Sequence, residues 1–330
     1  MRKNKLKNIA GLTLVEMLIS LIISSVMMAA MYTTYNIVNK TYSQVADRAK
    51  ISSSGRDIVE MLMRDIRMAG FKFYRGKNDD GVPEQDYLQF ITGKKYNAVT
   101  ESYENISIAE SHDPIIIVKD YLGNDITSKA KWSAGDTGAQ PDLCCDKIII
   151  VYGDYNQNTP NQPYKKYRIT YYAKPIPDLA DPTVVTAGED RRYAVFKTKE
   201  SWIQKLLPEK ETTGDWVHDG PDCPECYVDQ KIRDHIVDME FIPFNQDGKA
   251  LLPVPSPDKS TAVDLYNIRS VDVRLTFRSH KKYFQNDAKP GQERFVAGLG
   301  DRKKVYDSDD KYLRDSVVVT VHTRNIGSVI

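Results

Sequence analysis

One carboxylate stands inside the longest apolar run of the chain. Glu16 lies near the start of LTLVEMLISLIISSVMMAAMYTTY, residues 12–35. A charge in hydrocarbon is costly, so an ionisable residue in such a run points to a function. The chemistry open to Glu16 is ion pairing, and a free α-amine created by cleavage just upstream would compensate it. The plain alternative is an interfacial Glu that reaches the lipid headgroups.

The other residues able to do chemistry are fewer and more scattered. Four cysteines come as Cys144-Cys145 and Cys223-Pro224-Glu225-Cys226. His218 and His235 flank the second pair, a donor set suited to zinc but not spaced as a zinc finger. A thioredoxin-like redox site would need a βαβ setting. Asp154, Asn156 and Asn158 place oxygen side chains at alternate positions, as calcium loops do. The Gly and the distant Glu of a helix-flanked calcium loop are missing, and an Asn-rich hairpin loop is the stronger reading. Asn245-Gln246-Asp247-Gly248 is most simply a turn. There is no Gly-x-Ser-x-Gly, no His-Glu-x-x-His and no phosphate-binding Gly loop, so no catalytic residue is assigned and no enzyme or cofactor is expected beyond the weak calcium candidate.

The elements that position these residues begin at the N-terminus. Residues 1–11, MRKNKLKNIAG, carry four positive charges and no acid. From Met17 to Tyr35 there is no charge, Pro or Gly, and a helix of that length spans roughly 28 Å, close to the hydrocarbon thickness of a bilayer. The basic flank keeps the first residues cytoplasmic and sends the rest outside. The run is too long for an ordinary secretory signal and lacks a small-residue cleavage site at its far end. Ser20, Ser24, Ser25, Ala29 and Ala30 permit close helix–helix approach.

The helical period continues beyond the membrane. Val38, Tyr42, Val45, Ala49, Ser52, Val59, Leu62, Ile66 and Ala69 keep a 3.6-residue phase, and the charges mostly fall off it. This predicts an amphipathic helix lying on a globular domain. Ser52-Ser53-Ser54-Gly55 is a point where it could bend, and Gly70 is a natural stop. A helix from Leu12 to Ala69 would be roughly 87 Å long.

After Gly70 the period changes to that of strands. Candidates are Tyr87–Thr92, Pro114–Lys119, Lys147–Tyr152, Tyr167–Ala173, Arg192–Lys197, Ile236–Ile242, Ile268–Arg278 and Ser316–Arg324, separated by loops with closely spaced Pro. Alternating character, as in Val271–Arg278, predicts antiparallel sheet with one wet face. The 20 Tyr fit strands. No helical period separates the strands, which argues against a doubly wound parallel fold. The expected class is α+β: a long N-terminal hydrophobic and amphipathic helix, then an antiparallel β-sheet domain. The expected boundaries are a cytoplasmic leader over 1–11, a helix over 12–70 (12–38 in membrane or filament core, 39–70 amphipathic) and a β-rich domain over 71–330.

Gly11-Leu12-Thr13-Leu14-Val15-Glu16 resembles the prepilin cleavage and methylation motif of type IV pilins and pseudopilins. The resemblance implies that a prepilin peptidase cuts after Gly11 and that Leu12, standing where the family usually has Phe, becomes an N-methylated terminus. Glu16 is then the fifth mature residue, the position whose carboxylate in this family meets the N-terminal amine of a neighbouring subunit. Leu62–Phe71, with its Asp-x-Arg-x-Ala-Gly-aromatic ending, resembles the end of the first helix in PilW-type minor pilins. Ile232–Gly248, Ile268–His280 and Val317–Asn325 resemble their C-terminal strands, with the closing Arg324-Asn325 the most telling part.

Export implied by that resemblance puts the cysteines in an oxidising compartment, where disulfides are the default. A 144–145 bridge is disfavoured because neighbouring Cα atoms are only about 3.8 Å apart. Cross-pairing between Cys144 or Cys145 and Cys223 or Cys226 is expected, closing a loop of about 80 residues worth on the order of 4 kcal/mol.

The resemblance further implies a non-enzymatic minor pilin of a type IV pilus, held in the inner membrane with its C-terminal domain in the periplasm before joining the pilus. Its implied partners are the prepilin peptidase, other minor pilins, the major pilin and the inner-membrane assembly platform, in a complex that primes assembly or sits at the tip. A minor pseudopilin of a type II secretion system shares the N-terminus. A membrane-tethered periplasmic metal- or ligand-binding protein is the alternative from another class. Lys281-Lys282, Lys289, Arg294 and Arg302-Lys303-Lys304 could touch nucleic acid or a partner, but Asp287, Glu293 and Asp301 dilute them, and a solvated face is the better reading. The formal charge of the chain is +1, and loss of the four leader cations turns it to −3. The near-neutral balance carries no global push toward nucleic acid or anionic lipid.

Overall fold

The computed structural model describes residues 13–71, 94–97, 102–105, 111–119, 145–155, 164–176, 193–206, 212–218, 220, 223–258, 260–284, 295–297, 304–306 and 311–326. Residues 1–50 and 51–330 form two compact units.

The described part of the first unit is helix. It belongs to α1, which extends from Leu14 to Met68. No Pro or Gly occurs between residues 14 and 50, so nothing removes a backbone donor or loosens the ladder. Its large apolar side chains face outward, among them Leu18, Ile22 and Met28. The helix is long and apolar enough to cross a membrane. Its hydroxyls are hidden by bonds to the preceding turn: Ser20 Oγ donates to the Glu16 carbonyl at 2.7 Å, Ser24 Oγ to Ser20 at 2.7 Å and Ser25 Oγ to Ile22 at 2.8 Å. Thr33, Thr34 and Thr41 do the same. An apolar helix can thus carry small polar residues in lipid without an unsatisfied donor.

The second unit opens with the last turns of α1 and continues as strands. These are β1 (Lys94–Asn97), β2 (Ser102–Asn105), β3 (Ile115–Val118), β4 (Lys147–Tyr155), β5 (Tyr164–Pro175), β6 (Tyr193–Leu206), β7 (Thr212–Val217), β8 (Tyr227–Phe244), β9 (Ser270–Lys282), β10 (Phe295–Ala297), β11 (Lys304–Tyr306) and β12 (Tyr312–His322). Eight of them form one antiparallel sheet in the order β12-β9-β8-β6-β5-β4-β3, with β7 also paired to β6. β1–β2 and β10–β11 are separate antiparallel pairs. The α+β expectation therefore holds: one long helix, then antiparallel sheet.

The helix packs on the sheet through residues spaced three and four apart. Ile51, Ile58, Leu62, Ile66 and Ala69 are buried against Ile148, Ile150, Tyr167, Ile169, Tyr171, Val273, Leu275 and Phe277 in one core. The sheet residues alternate along their strands, as a pleated surface with one face on the helix requires. Leu62 and Ile66 are fully buried, each stabilising the unit by about 1.5–3 kcal/mol.

Two expectations about the helix change. The stripe from Val38 to Val45 is exposed, with Val38 at 60%, Tyr42 at 72% and Val45 at 61%, and in the second unit the helix is buried from Ile51. The helical assignment also runs unbroken through Ser52–Gly55. Gly55 serves close approach instead of a bend, since a Cβ there would lie 2.9 Å from Val317 Cγ2 and 3.1 Å from Phe277 Cε2.

Seven of the eight strand candidates overlap observed strands, whereas Tyr87–Thr92 lies outside the described residues. β1, β2, β7, β10 and β11 were not anticipated. They are short, and each lacks a long alternating run. β8 is longer than its apolar core suggested, because a polar first half, Tyr227–Asp234, pairs with β6.

Candidate functional site

Glu16 sits at the third helical position of α1, and Thr13 caps that helix. The Thr13 backbone N–H and its Oγ1 hydroxyl both donate to Glu16 Oε2 at 2.9 Å, while the Glu16 N–H donates back to Thr13 Oγ1 at 3.3 Å. This reciprocal arrangement is a capping box, which satisfies donors that a helix start leaves orphaned. A carboxylate in the first turn also faces the positive end of the helix dipole. The sequence carried the signal, Thr-x-x-Glu just before an apolar run, which an eye fixed on ion pairing passes over. Gly11 and Leu12, the expected processing residues, lie outside the described residues.

The far end of α1 is tied down differently. Asp65 is buried, and its Oδ2 accepts from Tyr171 Oη at 2.6 Å and from Lys197 Nζ at 2.6 Å. Arg64 Nε reaches Oδ1 at 3.3 Å. Lys197 is also buried and lies 5.1 Å from the centroid of the Tyr171 ring. Burial and the Asp65 charge push the Tyr171 hydroxyl well above the ordinary phenol range, and the same carboxylate raises Arg64.

α1 then stops at Gly70, whose φ of 71° is left-handed and so favours glycine. Its N–H donates to the Val151 carbonyl at 2.9 Å, and the Gly153 N–H donates to Phe71 at 2.9 Å. Asn325 Nδ2 donates to the Arg67 carbonyl at 3.1 Å, capping an orphaned acceptor in the last turn. A Cβ on Gly70 would meet Ile326 Cγ1 at 3.1 Å and Pro114 Cβ at 3.3 Å. The Asp-x-Arg-x-Ala-Gly-aromatic ending and the closing Arg-Asn of the chain are thus two halves of one junction.

The cysteine pairing differs from expectation. Cys223 is bonded to Cys226, with Cα atoms 5.3 Å apart. The Pro224-Glu225 turn, closed by the Cys226 N–H to the Cys223 carbonyl at 3.0 Å, brings two residues three apart into disulfide range, which cross-pairing would have needed tertiary contact to do. Tyr167 Oη donates to Glu225 and holds the turn on β5. Cys145 is buried and also disulfide-bonded, while Cys144 lies outside the described residues. The bond consumes the Cys223 and Cys226 thiolates, so the zinc set with His218 and His235 is lost. Asp154 is exposed in β4, in register with Lys165 of β5, and Asn156 and Asn158 lie outside the described residues. Of the basic C-terminal residues, Lys281 and Lys282 are exposed on β9.

A second cluster, around the buried His112, was not anticipated. His112 stacks edge-on against Trp202 at 4.3 Å and lies 5.1 Å from Trp216, with the Arg168 guanidinium 4.6 Å above Trp216. Burial, then the nearby Lys166 and Arg168 cations, lower the His112 imidazole to about 3.

Residues 6–32 match the prokaryotic N-terminal methylation motif. No curated protein matches the chain in sequence. Among solved structures, a type IV-like pilin from Thermus thermophilus is similar at 10% identity and a TM-score of 0.24, over 56% of this chain and 80% of that one.

Proposed function

We propose that the chain is a minor pilin of a type IV pilus, of PilW type, that primes pilus assembly or sits at the tip. The match of residues 6–32 to the methylation motif carries this reading. A prepilin peptidase removes residues 1–11, and Leu12 becomes the methylated terminus. The apolar first turns of α1 wait in the inner membrane with the sheet domain on the periplasmic side, then enter the filament core. The chain works by assembly with other minor pilins, the major pilin and the assembly platform, and not by catalysis. Two features of the described residues support that mode of action. The apolar side chains of residues 14–38 are exposed, which calls for lipid or neighbouring helices. Glu16 is held only by Thr13, three residues away and exposed, so an incoming amine can displace or share those bonds.

The test is the mature N-terminus and the filament together. Mass spectrometry is expected to find a chain beginning at methylated Leu12. Glu16→Gln is expected to insert in the membrane and be processed, yet to be missing from sheared filaments, with fewer pili per cell. A chain still beginning at Met1, or normal pilus number with the variant recovered in filaments, rejects the reading.

A further inference from the structure

His235 on β8 and His280 on β9 face each other across adjacent strands. His235 Nε2 and His280 Nδ1 are 3.1 Å apart. The rings cross at 78° with centroids 4.7 Å apart, a T-shaped arrangement and not a stacked one. We propose that this pair is a two-histidine site for a first-row divalent transition metal such as Zn²⁺, Ni²⁺ or Cu²⁺.

The separation is the first argument. Two nitrogens each about 2.0–2.1 Å from one ion, at a right or tetrahedral angle, lie about 2.9–3.4 Å apart. The observed gap falls inside that window before any metal is added. In the metal-free pair one imidazole N–H fills the gap as a donor. Binding requires that this proton move to the other nitrogen of the same neutral ring, with no net change in protons, and that the two rings turn so that both lone pairs face the ion. His280 is exposed, so it can carry its proton on Nε2.

The backbone is the second argument. His235 has a φ of 63°, a left-handed conformation unusual for a residue with a side chain. It lies where β8 gains a residue on β6: Val195 pairs with Arg233 and Tyr193 with Ile236. A bulge of this kind re-aims a side chain, and here the re-aimed ring lands on His280. A glycine would have filled the left-handed position more cheaply, yet the chain places an imidazole there.

The surroundings favour imidazole-seeking metals over hard cations. Neighbouring cations are engaged elsewhere: Arg278 lies 4.0 Å and Lys282 5.5 Å from the Tyr312 ring centroid, and Lys231 pairs with Asp234 at 2.9 Å. Among the described residues no three His, Cys, Asp or Glu side chains converge as a metal cage. The described residues therefore leave the remaining positions on the ion to water, as an open, exchangeable site. Calcium and magnesium, which take oxygen ligands, are poor fits to two imidazoles.

The experiment is titration of the untagged, metal-stripped full-length protein in detergent micelles with Cu²⁺ and with Zn²⁺. Saturable binding of one ion per chain is expected, with two-nitrogen coupling in the Cu²⁺ paramagnetic resonance spectrum. His235→Gln and His280→Gln are each expected to weaken binding by on the order of 10²-fold, because the second ligand otherwise binds intramolecularly. His218→Gln and His322→Gln, at exposed positions, serve as controls and are expected to change nothing. Circular dichroism confirms that each variant is folded; a misfolded variant is replaced by diethylpyrocarbonate modification of the wild-type protein, where bound Zn²⁺ should protect both rings. No saturable binding, or binding that survives loss of either ring, overturns the proposal.

Discussion

Asp65→Ala tests the reasoning about the helix junction most directly. The carboxylate accepts two bonds of 2.6 Å, from Tyr171 and Lys197, and both Asp65 and Lys197 are under 5% exposed. Removing it strands the Lys197 ammonium in the core and leaves the Tyr171 hydroxyl without its acceptor. Breaking a buried pair by deleting one partner costs about 3–5 kcal/mol. Tyr171→Phe removes a single hydrogen bond to a charge and is expected to cost about 1.5–3 kcal/mol. Lys197→Met should fall between the two, because Tyr171 and Arg64 still face the remaining carboxylate. The double replacement Asp65→Leu with Lys197→Met removes both charges, and is expected to lie much nearer wild type than Asp65→Ala. Urea unfolding of the full chain in detergent micelles, followed by tryptophan fluorescence, reads the differences, since Trp202 and Trp216 pair across β6 and β7. An Asp65→Ala loss below about 1 kcal/mol, or a double variant that loses the sum of its singles, refutes the buried-clamp account.

Three further outcomes follow from the same geometry. His112, lowered to about 3 in the folded chain against about 6.5 unfolded, is neutral in both states at pH 7. Below 6.5 only the unfolded chain takes up its proton, so stability should fall by about 1.4 kcal/mol per pH unit toward pH 3, and His112→Phe should flatten the difference between pH 7 and pH 5 unfolding curves. Gly55→Ala would normally favour a helix by up to about 1 kcal/mol. With Val317 Cγ2 2.9 Å from the new Cβ it should instead lower the melting temperature, and adding Val317→Ala should restore part of the loss. Cys223→Ala with Cys226→Ala opens a loop of only four residues and should cost about 2 kcal/mol, half of what a cross-link between the two cysteine pairs would cost.

How far the sequence revealed this molecule depends on how local each cause is. The helix and the apolar strands were legible because period and burial leave a mark every two to four residues. The capping box was equally local and was there to be read. Asp65 was not, since it looks like any charge beside an apolar stripe. Its partners Tyr171 and Lys197 are more than a hundred residues away, on strands whose alternation is uninformative about which polar residue turns inward. The same holds for Asn325, whose place three residues after β12 has a physical reason only once its amide is seen on the Arg67 carbonyl. The bulge at His235 leaves no mark at all, because the left-handed residue there is not a glycine. The cysteines misled by a different route. Loop entropy favours a long cross-link in the abstract, but a two-residue turn with Pro224 delivers Cys226 to Cys223 without any tertiary search.

In the proposed pilin, the two acidic residues of α1 would let one helix serve both its own domain and a changing set of neighbours. Asp65 is satisfied by groups that only the folded sheet supplies, and its cost of exposure binds the last turns of the helix to that sheet. Among the described residues Glu16 is satisfied by Thr13, through bonds that close within one turn and face outward. Those bonds form whether or not a neighbour is present, so the carboxylate can wait in the membrane without a partner. They also compete weakly with a cationic amine, because a full charge outbids a hydroxyl and a backbone N–H for the same oxygen. Replacing Thr13 by Val removes both bonds of the hydroxyl but keeps the backbone N–H bond to Glu16, and should therefore leave the sheet domain intact while weakening the waiting state. Membrane levels of the unassembled chain should drop, and Asp65-dependent stability measured by urea should not move. A Thr13→Val chain that accumulates normally would mean that the Thr13 hydroxyl plays no part in holding the carboxylate ready.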